Sequence, residues 1–363
     1  MTRINVTKSQ IPDRQRFHAY VDQILDSGWL TNRGACVREL EEKLQAYLGV
    51  RNVVLVNNAT SGLQVAYKAL SLQGDVITSP FTFIATASSI VWEGLDVLFA
   101  DIDPQTLCVN VKEIERKISD KTRAIVPVHV FGNPCDVEAI EALAKKHHLK
   151  VIYDAAHAFN VKYKGESILN WGNISLLSFH ATKLFHTIEG GALIINDDEL
   201  CEKVRKMINF GFTGPESIEC LGINTKMNEF QAAMGLCLLD DMGAVIARRQ
   251  EITGLYNTKL LNCDITWPVW MDQCSNNYAY YPIILKDEFI AQKVQQALND
   301  NDIFPRRYFY PSLDTLEFLS ENQHTPISRD IASRILCLPL FTDLKNSECE
   351  SIAKIILETL EGK

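Results

Sequence analysis

A chain of 363 residues, 47% of them hydrophobic, is long enough for one large domain plus a smaller one and apolar enough for a sizeable buried core. Its formal net charge of -9 argues against non-specific nucleic-acid binding, which needs a basic face, yet leaves room for an anionic substrate in a local basic pocket. Ten cysteines with no Cys-x-x-Cys pair and no Cys/His cluster of zinc spacing predict reduced core thiols and no metal site.

The N-terminal residues carry no signal-like apolar stretch, and no apolar run approaches the roughly 18 residues of a membrane span. A cytoplasmic protein without a membrane segment is expected.

In chain order, residues 38–48 read as an amphipathic helix ended by Gly49. A strand over 53–56 runs into Asn57-Asn58-Ala59-Thr60-Ser61-Gly62, and a helix over 63–72 follows. The spacing then predicts a strand at 75–78 entering Pro80, a helix at 85–92 and a strand at 97–100. Next come a helix at 113–118, a strand at 124–130, a helix at 137–148 and a strand at 151–153. Gly190-Gly191 precede another apolar run. These strands lack polar alternation, as parallel strands covered on both faces do. The β–α order gives a doubly wound α/β domain, whose ligands bind beyond the carboxyl ends of the strands.

After about residue 246 the rhythm changes. A long helix at 245–260, a strand at 278–285 and helices at 288–298, 327–335 and 348–360 fit a smaller α+β domain. No repeat or linker marks the boundary, so an extensive interface between 1–245 and 246–363 is expected.

Three features combine chemically. Lys183 ends Ser178-Phe179-His180-Ala181-Thr182-Lys183, twenty-nine residues after Asp154 in Tyr153-Asp154-Ala155-Ala156-His157. Pyridoxal phosphate needs a lysine for its aldehyde and a carboxylate to hold its ring nitrogen protonated. The strand–Asn-Ala-Thr-Ser-Gly–helix turn offers a phosphate cup at a helix start. Amine, ring anchor and phosphate site together suggest an aminotransferase.

Each feature alone has a plainer reading. Lys183 reads equally as a solvated surface lysine, and Asp154 as a helix N-cap. His157 suits a structural role, and Thr60 with Ser61 suits simple capping. Phe83 either stacks on a pyridine ring or packs in the core.

Matched in order, longer strings resemble the nucleotide-sugar aminotransferases of the DegT/DnrJ/StrS family over nearly the whole chain. They include Gly28-Trp29-Leu30-Thr31-Asn32, Pro80-Phe81-Thr82-Phe83-Ile84-Ala85-Thr86, Ser178 to Lys183, Glu189-Gly190-Gly191, and Asn224-Thr225-Lys226-Met227-Asn228-Glu229. The resemblance implies an aspartate aminotransferase-like (fold type I) α/β large domain with a mostly parallel sheet, an N-terminal arm and a smaller C-terminal domain. It implies that Lys183 bonds pyridoxal 5'-phosphate and shuttles the proton, Asp154 pairs with the pyridine nitrogen, and His157 sits by the ring hydroxyl. It also implies that Ala59, Thr60 and Ser178 hold the phosphate, that Phe83 stacks on the ring, and that Asn224 reaches the phosphate from a neighbouring subunit of a homodimer.

Three positions depart from the family pattern. Asn58-Ala59-Thr60 stands where Ser-Gly-Thr is usual, Ile188 where glycine is common, and Lys226 where arginine is frequent. Alanine still donates its N–H but tolerates positive φ poorly, and lysine keeps the charge but lacks the bidentate fork.

Strings around Gly132-Asn133-Pro134, Lys183-Leu184-Phe185-His186 and Arg306-Arg307-Tyr308-Phe309-Tyr310 resemble the branch that aminates dTDP-4-keto-6-deoxy-D-glucose at C-4 with L-glutamate as donor. Trp29, Thr31, Asn32, His186, Lys226, Arg306 and Tyr310 are the candidate substrate contacts. Amination at C-3, or at C-4 with galacto stereochemistry, is the nearest alternative. A non-catalytic sensor on the same fold is the alternative of another class, against which the presence of Lys183 speaks.

Overall fold

The computed structural model describes residues 3–319 and 323–362. Seven strands form the central sheet: β1 (Val53–Val56), β2 (Asp75–Thr78), β3 (Asp96–Phe99), β4 (Thr122–Val126), β5 (Lys150–Asp154), β6 (Ile174–Ser178) and β7 (Gly191–Ile194). Their spatial order is β1-β7-β6-β5-β4-β2-β3. Neighbours run parallel except β7, which is antiparallel to both β6 and β1.

The alternation of side chains along each strand builds two cores, one on each face. Val53, Leu55, Val151, Tyr153 and Leu177 face helices Ala35–Leu48 and Val137–His147. Val54, Val56, Ile152 and Leu176 face helices Ala59–Ala69, Ile84–Trp92 and Asp198–Met207. This is the expected α/β layering with a mostly parallel sheet. The predicted strand at 124–130 stops at Val126, before Pro127, which has no N–H to continue the ladder.

Towards the C-terminus, strands Tyr281–Ile284 and Ile335–Leu338 pair antiparallel. Helices Met242–Lys259, Glu288–Asn299 and Asn346–Leu360 cover them and form a third core with Ile283, Val294 and Ile352. Ile4 joins that core through a parallel pairing of Ile4–Asn5 with Ile303–Phe304. The helix Met242–Lys259 spans two cores, Val245 belonging to the first and Tyr256 to the third. The Asp101 carboxylate, just beyond β3, accepts the N–H groups of Ile327 and Ser328 at the start of helix Pro326–Arg334, tying the later segment to the sheet.

The helix Arg14–Ser27 is absent from the sequence reading although Phe17, Tyr20, Val21 and Ile24 recur at helical spacing; it fully buries only Ile24, with Phe17 and Tyr20 packed against the core. No single described helix is long and apolar enough to cross a membrane.

Candidate active site

A cavity of about 350 Å³ opens at the carboxyl ends of β1, β5 and β6. Asp154 ends β5 and Ser178 ends β6, while Ala59 and Thr60 begin the helix that follows β1. Chain topology alone therefore brings these side chains to one edge of the sheet. Lys183, His157, Phe83 and Arg306 line the same cavity.

At the helix start, Asn58 is the N-cap in extended conformation, and its Oδ1 accepts the Ser61 N–H at 2.8 Å. The amides of Ala59 and Thr60 are left as the orphan donors of the first helical turn, a preformed anion cradle. Ala59 is itself helical, so the concern that alanine would be strained here is removed. Gly191 makes room for this helix start. A Cβ on it would lie 2.9 Å from the Leu177 carbonyl oxygen and 3.0 Å from the Ala59 nitrogen.

Asp154 is buried, and its two oxygens are used differently. Oδ2 accepts the Thr86 hydroxyl at 2.7 Å, and Oδ1 accepts the Ala156 N–H at 3.1 Å. Thr86 is in turn held by Thr82 at 3.0 Å. The carboxylate is thus oriented while it faces the cavity.

His157 is buried with Phe309 stacked on it at 5.6 Å and Tyr280 edge-on at 4.8 Å. Its Nδ1 accepts the Phe131 N–H at 3.2 Å, so the ring proton lies on Nε2. Burial, and secondarily the nearby Lys183 charge, push its pKa well below the usual histidine value. It is a neutral hydrogen-bond donor at physiological pH.

Lys183 sits in an excursion closed by backbone hydrogen bonds from Phe179 to Gly190 and from Thr187 to Phe179. Its Nζ donates to the Tyr280 hydroxyl at 3.4 Å. Burial lowers its pKa below the ordinary lysine value, partly offset by the Asp154 carboxylate and by Tyr308. Ile188, in the same excursion, has φ +69°, a left-handed conformation unusual for a β-branched side chain.

Phe83 is 55% exposed and lies on the cavity wall, which rules out its reading as a core residue. Arg306 is exposed there with its guanidinium 5.3 Å from the Tyr308 ring.

Other expected contacts do not reach this cavity. His186 is a correction: it is buried, its Nε2 bonded to the Gln10 carbonyl at 2.8 Å and its Nδ1 accepting the Ile188 N–H at 3.2 Å. Both ring nitrogens are consumed in holding the loop, which leaves none for a substrate. Tyr310 is half-exposed, its ring covered by the Arg307 guanidinium at 3.6 Å. Trp29, Thr31 and Asn32 lie on an exposed loop. Lys226 donates to Asn209 at 2.7 Å and to Asn224 at 2.9 Å. Between them, Thr225 is buried and latched to Asn57 by a side-chain bond of 2.7 Å and a backbone bond of 2.7 Å. Asn224 is thereby fixed near the helix start but does not line this chain's cavity.

The sequence reading did not single out Tyr280, Thr86 or Tyr308 as site residues. All three line the cavity. Tyr280 was hidden inside an apolar run that reads as plain strand.

Known proteins resemble this chain in sequence and fold. A dTDP-4-amino-4,6-dideoxy-D-glucose transaminase of Shigella dysenteriae is 40% identical over 361 residues, covering 98% of each chain. An Escherichia coli protein of the same name is 37% identical, again over 98% of each. The crystal structure of DesI in the presence of its TDP-sugar product superposes with a TM-score of 0.94 at 33% identity, covering 100% of this chain and 94% of that one. Residues 12–357 match the model of the DegT/DnrJ/EryC1/StrS aminotransferase family, and the chain belongs to that family.

Proposed function

We propose that this chain is a pyridoxal 5'-phosphate-dependent enzyme that moves the amino group of L-glutamate to dTDP-4-keto-6-deoxy-D-glucose, giving dTDP-4-amino-4,6-dideoxy-D-glucose. The convergence of Lys183, Asp154 and the Ala59–Thr60 helix start in one cavity carries the cofactor reading. The donor set suits that group: an anion cradle, an oriented carboxylate, a neutral imidazole donor and an exposed aromatic face. When bound, the cofactor would supply an aldehyde for the lysine and an electron sink for a substrate carbanion.

The chain's own residues do the rest. Ala59 and Thr60 amides with Ser178 would bind the phosphate, and Asp154 would hold a proton on the ring nitrogen. His157 would donate to the ring hydroxyl, and Phe83 would cover a ring face. Lys183, less basic than an ordinary lysine, takes a proton at Nζ and returns it within the cavity. Arg306 meets anionic substrate groups.

The sugar assignment rests on the two curated relatives. The homodimer reading is supported by the absence of Asn224 from the lining of its own cavity and by exposed apolar side chains at Trp29, Leu30, Phe210, Phe212, Leu221 and Ile223. In a dimer, Asn224, Trp29, Thr31, Asn32 and Lys226 would serve the partner's site. NMR of the product formed from glutamate and dTDP-4-keto-6-deoxyglucose tests the reaction. A 4-amino gluco product is expected; amination at C-3, or the galacto epimer, contradicts the assignment.

A further inference from the structure

Resting on the reading of Lys183 as the reactive amine, we infer that Tyr280 is a further catalytic residue, whose phenol oxygen holds the Lys183 ammonium in place while it carries a proton.

Tyr280 Oη lies 3.4 Å from Lys183 Nζ, and it is the hydrogen-bond partner the structure gives that amine. The ring itself has little freedom. It meets His157 edge-on at 4.8 Å, Phe131 at 5.4 Å and Tyr308 edge-on at 5.8 Å. The buried Arg249 guanidinium has no carboxylate partner among the described residues and donates instead to the Tyr278 and Ala279 carbonyls, at 3.2 and 3.1 Å. A buried guanidinium bonded to the two residues just before Tyr280 fixes the backbone that delivers the phenol. Thus a hydroxyl from the C-terminal segment reaches an amine on the excursion between β6 and β7.

The charged and titratable groups around that amine are Asp154 on β5, His157 after it, Tyr308 and Arg306 on the C-terminal segment, and His180 and Glu189 on the lysine's own excursion. His157 is bonded through Nδ1 to the Phe131 amide, and Asp154 through Oδ2 to Thr86, so neither is freely placed to follow the amine. His180 and Glu189 face each other at 3.6 Å. Tyr280 remains a neutral phenol because burial raises its pKa, against the lowering effect of Arg249. A neutral phenol accepts from an ammonium through its lone pairs and, in a desolvated site, stabilises the charged form of the lysine. Its loss should therefore make Lys183 less basic still.

The test is Tyr280→Phe, which keeps every ring contact and removes one oxygen. In the full-length protein stripped of cofactor, trace acetylation of Lys183 across pH, read by peptide mass spectrometry, gives the amine's apparent pKa. The account expects that pKa to fall by about one unit in the variant, with about tenfold faster labelling on the acid side of the titration. Circular dichroism of both proteins checks the fold. An unchanged or raised Lys183 pKa in Tyr280→Phe overturns the role given to Tyr280. Borohydride fixation of the cofactor on Lys183 in both proteins, measured separately, keeps that outcome distinct from failure of the lysine assignment itself.

Discussion

The Thr86 hydroxyl donates to Oδ2 of Asp154 at 2.7 Å, from the first turn of helix Ile84–Trp92 to the end of β5. Together with the Ala156 N–H on Oδ1, the bond fixes the orientation of the carboxylate at the cavity wall. Replacing Thr86 with the isosteric valine removes the donor without opening a void. Cofactor affinity should drop about tenfold, in line with a hydrogen bond to a charged group. Absorbance titration of cofactor-free protein measures this, and an unchanged affinity would separate Thr86 from Asp154 function.

Ile188 is held in the left-handed region, at φ +69°. Holding an L-residue in the left-handed region costs roughly 1–2 kcal/mol, more comfortably borne by glycine. Ile188 is 47% exposed, so little burial is lost on truncation. Ile188→Gly should raise the stability of the cofactor-free protein by about 1 kcal/mol, whereas Ile188→Ala should not. Urea unfolding midpoints of the three proteins decide the matter.

At the sheet edge, β1 is covered by a buried ion cluster. Glu41 accepts the Leu55 N–H at 3.4 Å and the Arg205 guanidinium at 3.0 Å, and Arg205 donates to the Val53 carbonyl at 3.0 Å. Removing Arg205 leaves a buried carboxylate poorly compensated. Arg205→Met should destabilise by about 3–5 kcal/mol. Arg33 also reaches Glu41, at 2.9 Å, but its side chain is half-exposed, and Arg33→Ala should cost under about 1 kcal/mol. Equal losses in denaturant titrations would contradict this division.

The buried histidines set the acid limb of stability. Burial lowers the pKa of His129 to about 3, and it also lowers those of His157 and His186. Because the unfolded chain binds these protons and the folded one does not, stability rises with pH up to about 6.5 and is lost progressively below it. Each such histidine contributes a slope of about 1.4 kcal/mol per pH unit in that window. Replacing His129 with glutamine should lower proton uptake on unfolding at pH 5 by about one, read from the pH dependence of the urea midpoint. An unchanged slope would mean His129 titrates normally in the folded protein.

Much of the layered fold was legible in the sequence. Short apolar runs such as Val53 to Val56 are buried on both faces, so they advertise strands in a covered sheet. Direction is another matter: β7 is as apolar as its neighbours yet antiparallel, and nothing in a fully buried run encodes which way it points. The residues that gather at the strand ends were found because Lys183, Asp154 and Thr60 follow apolar runs. Tyr280 escaped notice because a tyrosine in a strand is ordinary and its aim depends on packing far from it in sequence. His186, close to Lys183 in the chain, was misread because proximity along an irregular excursion says nothing about which side chains turn inward.

Borohydride reduction of protein loaded with pyridoxal 5'-phosphate, followed by peptide mapping, tests the central claim most directly. The account predicts the reduced cofactor on the peptide carrying Lys183, with Lys183→Ala unlabelled at that peptide and without turnover. Attachment to any other lysine, or to none, would contradict it.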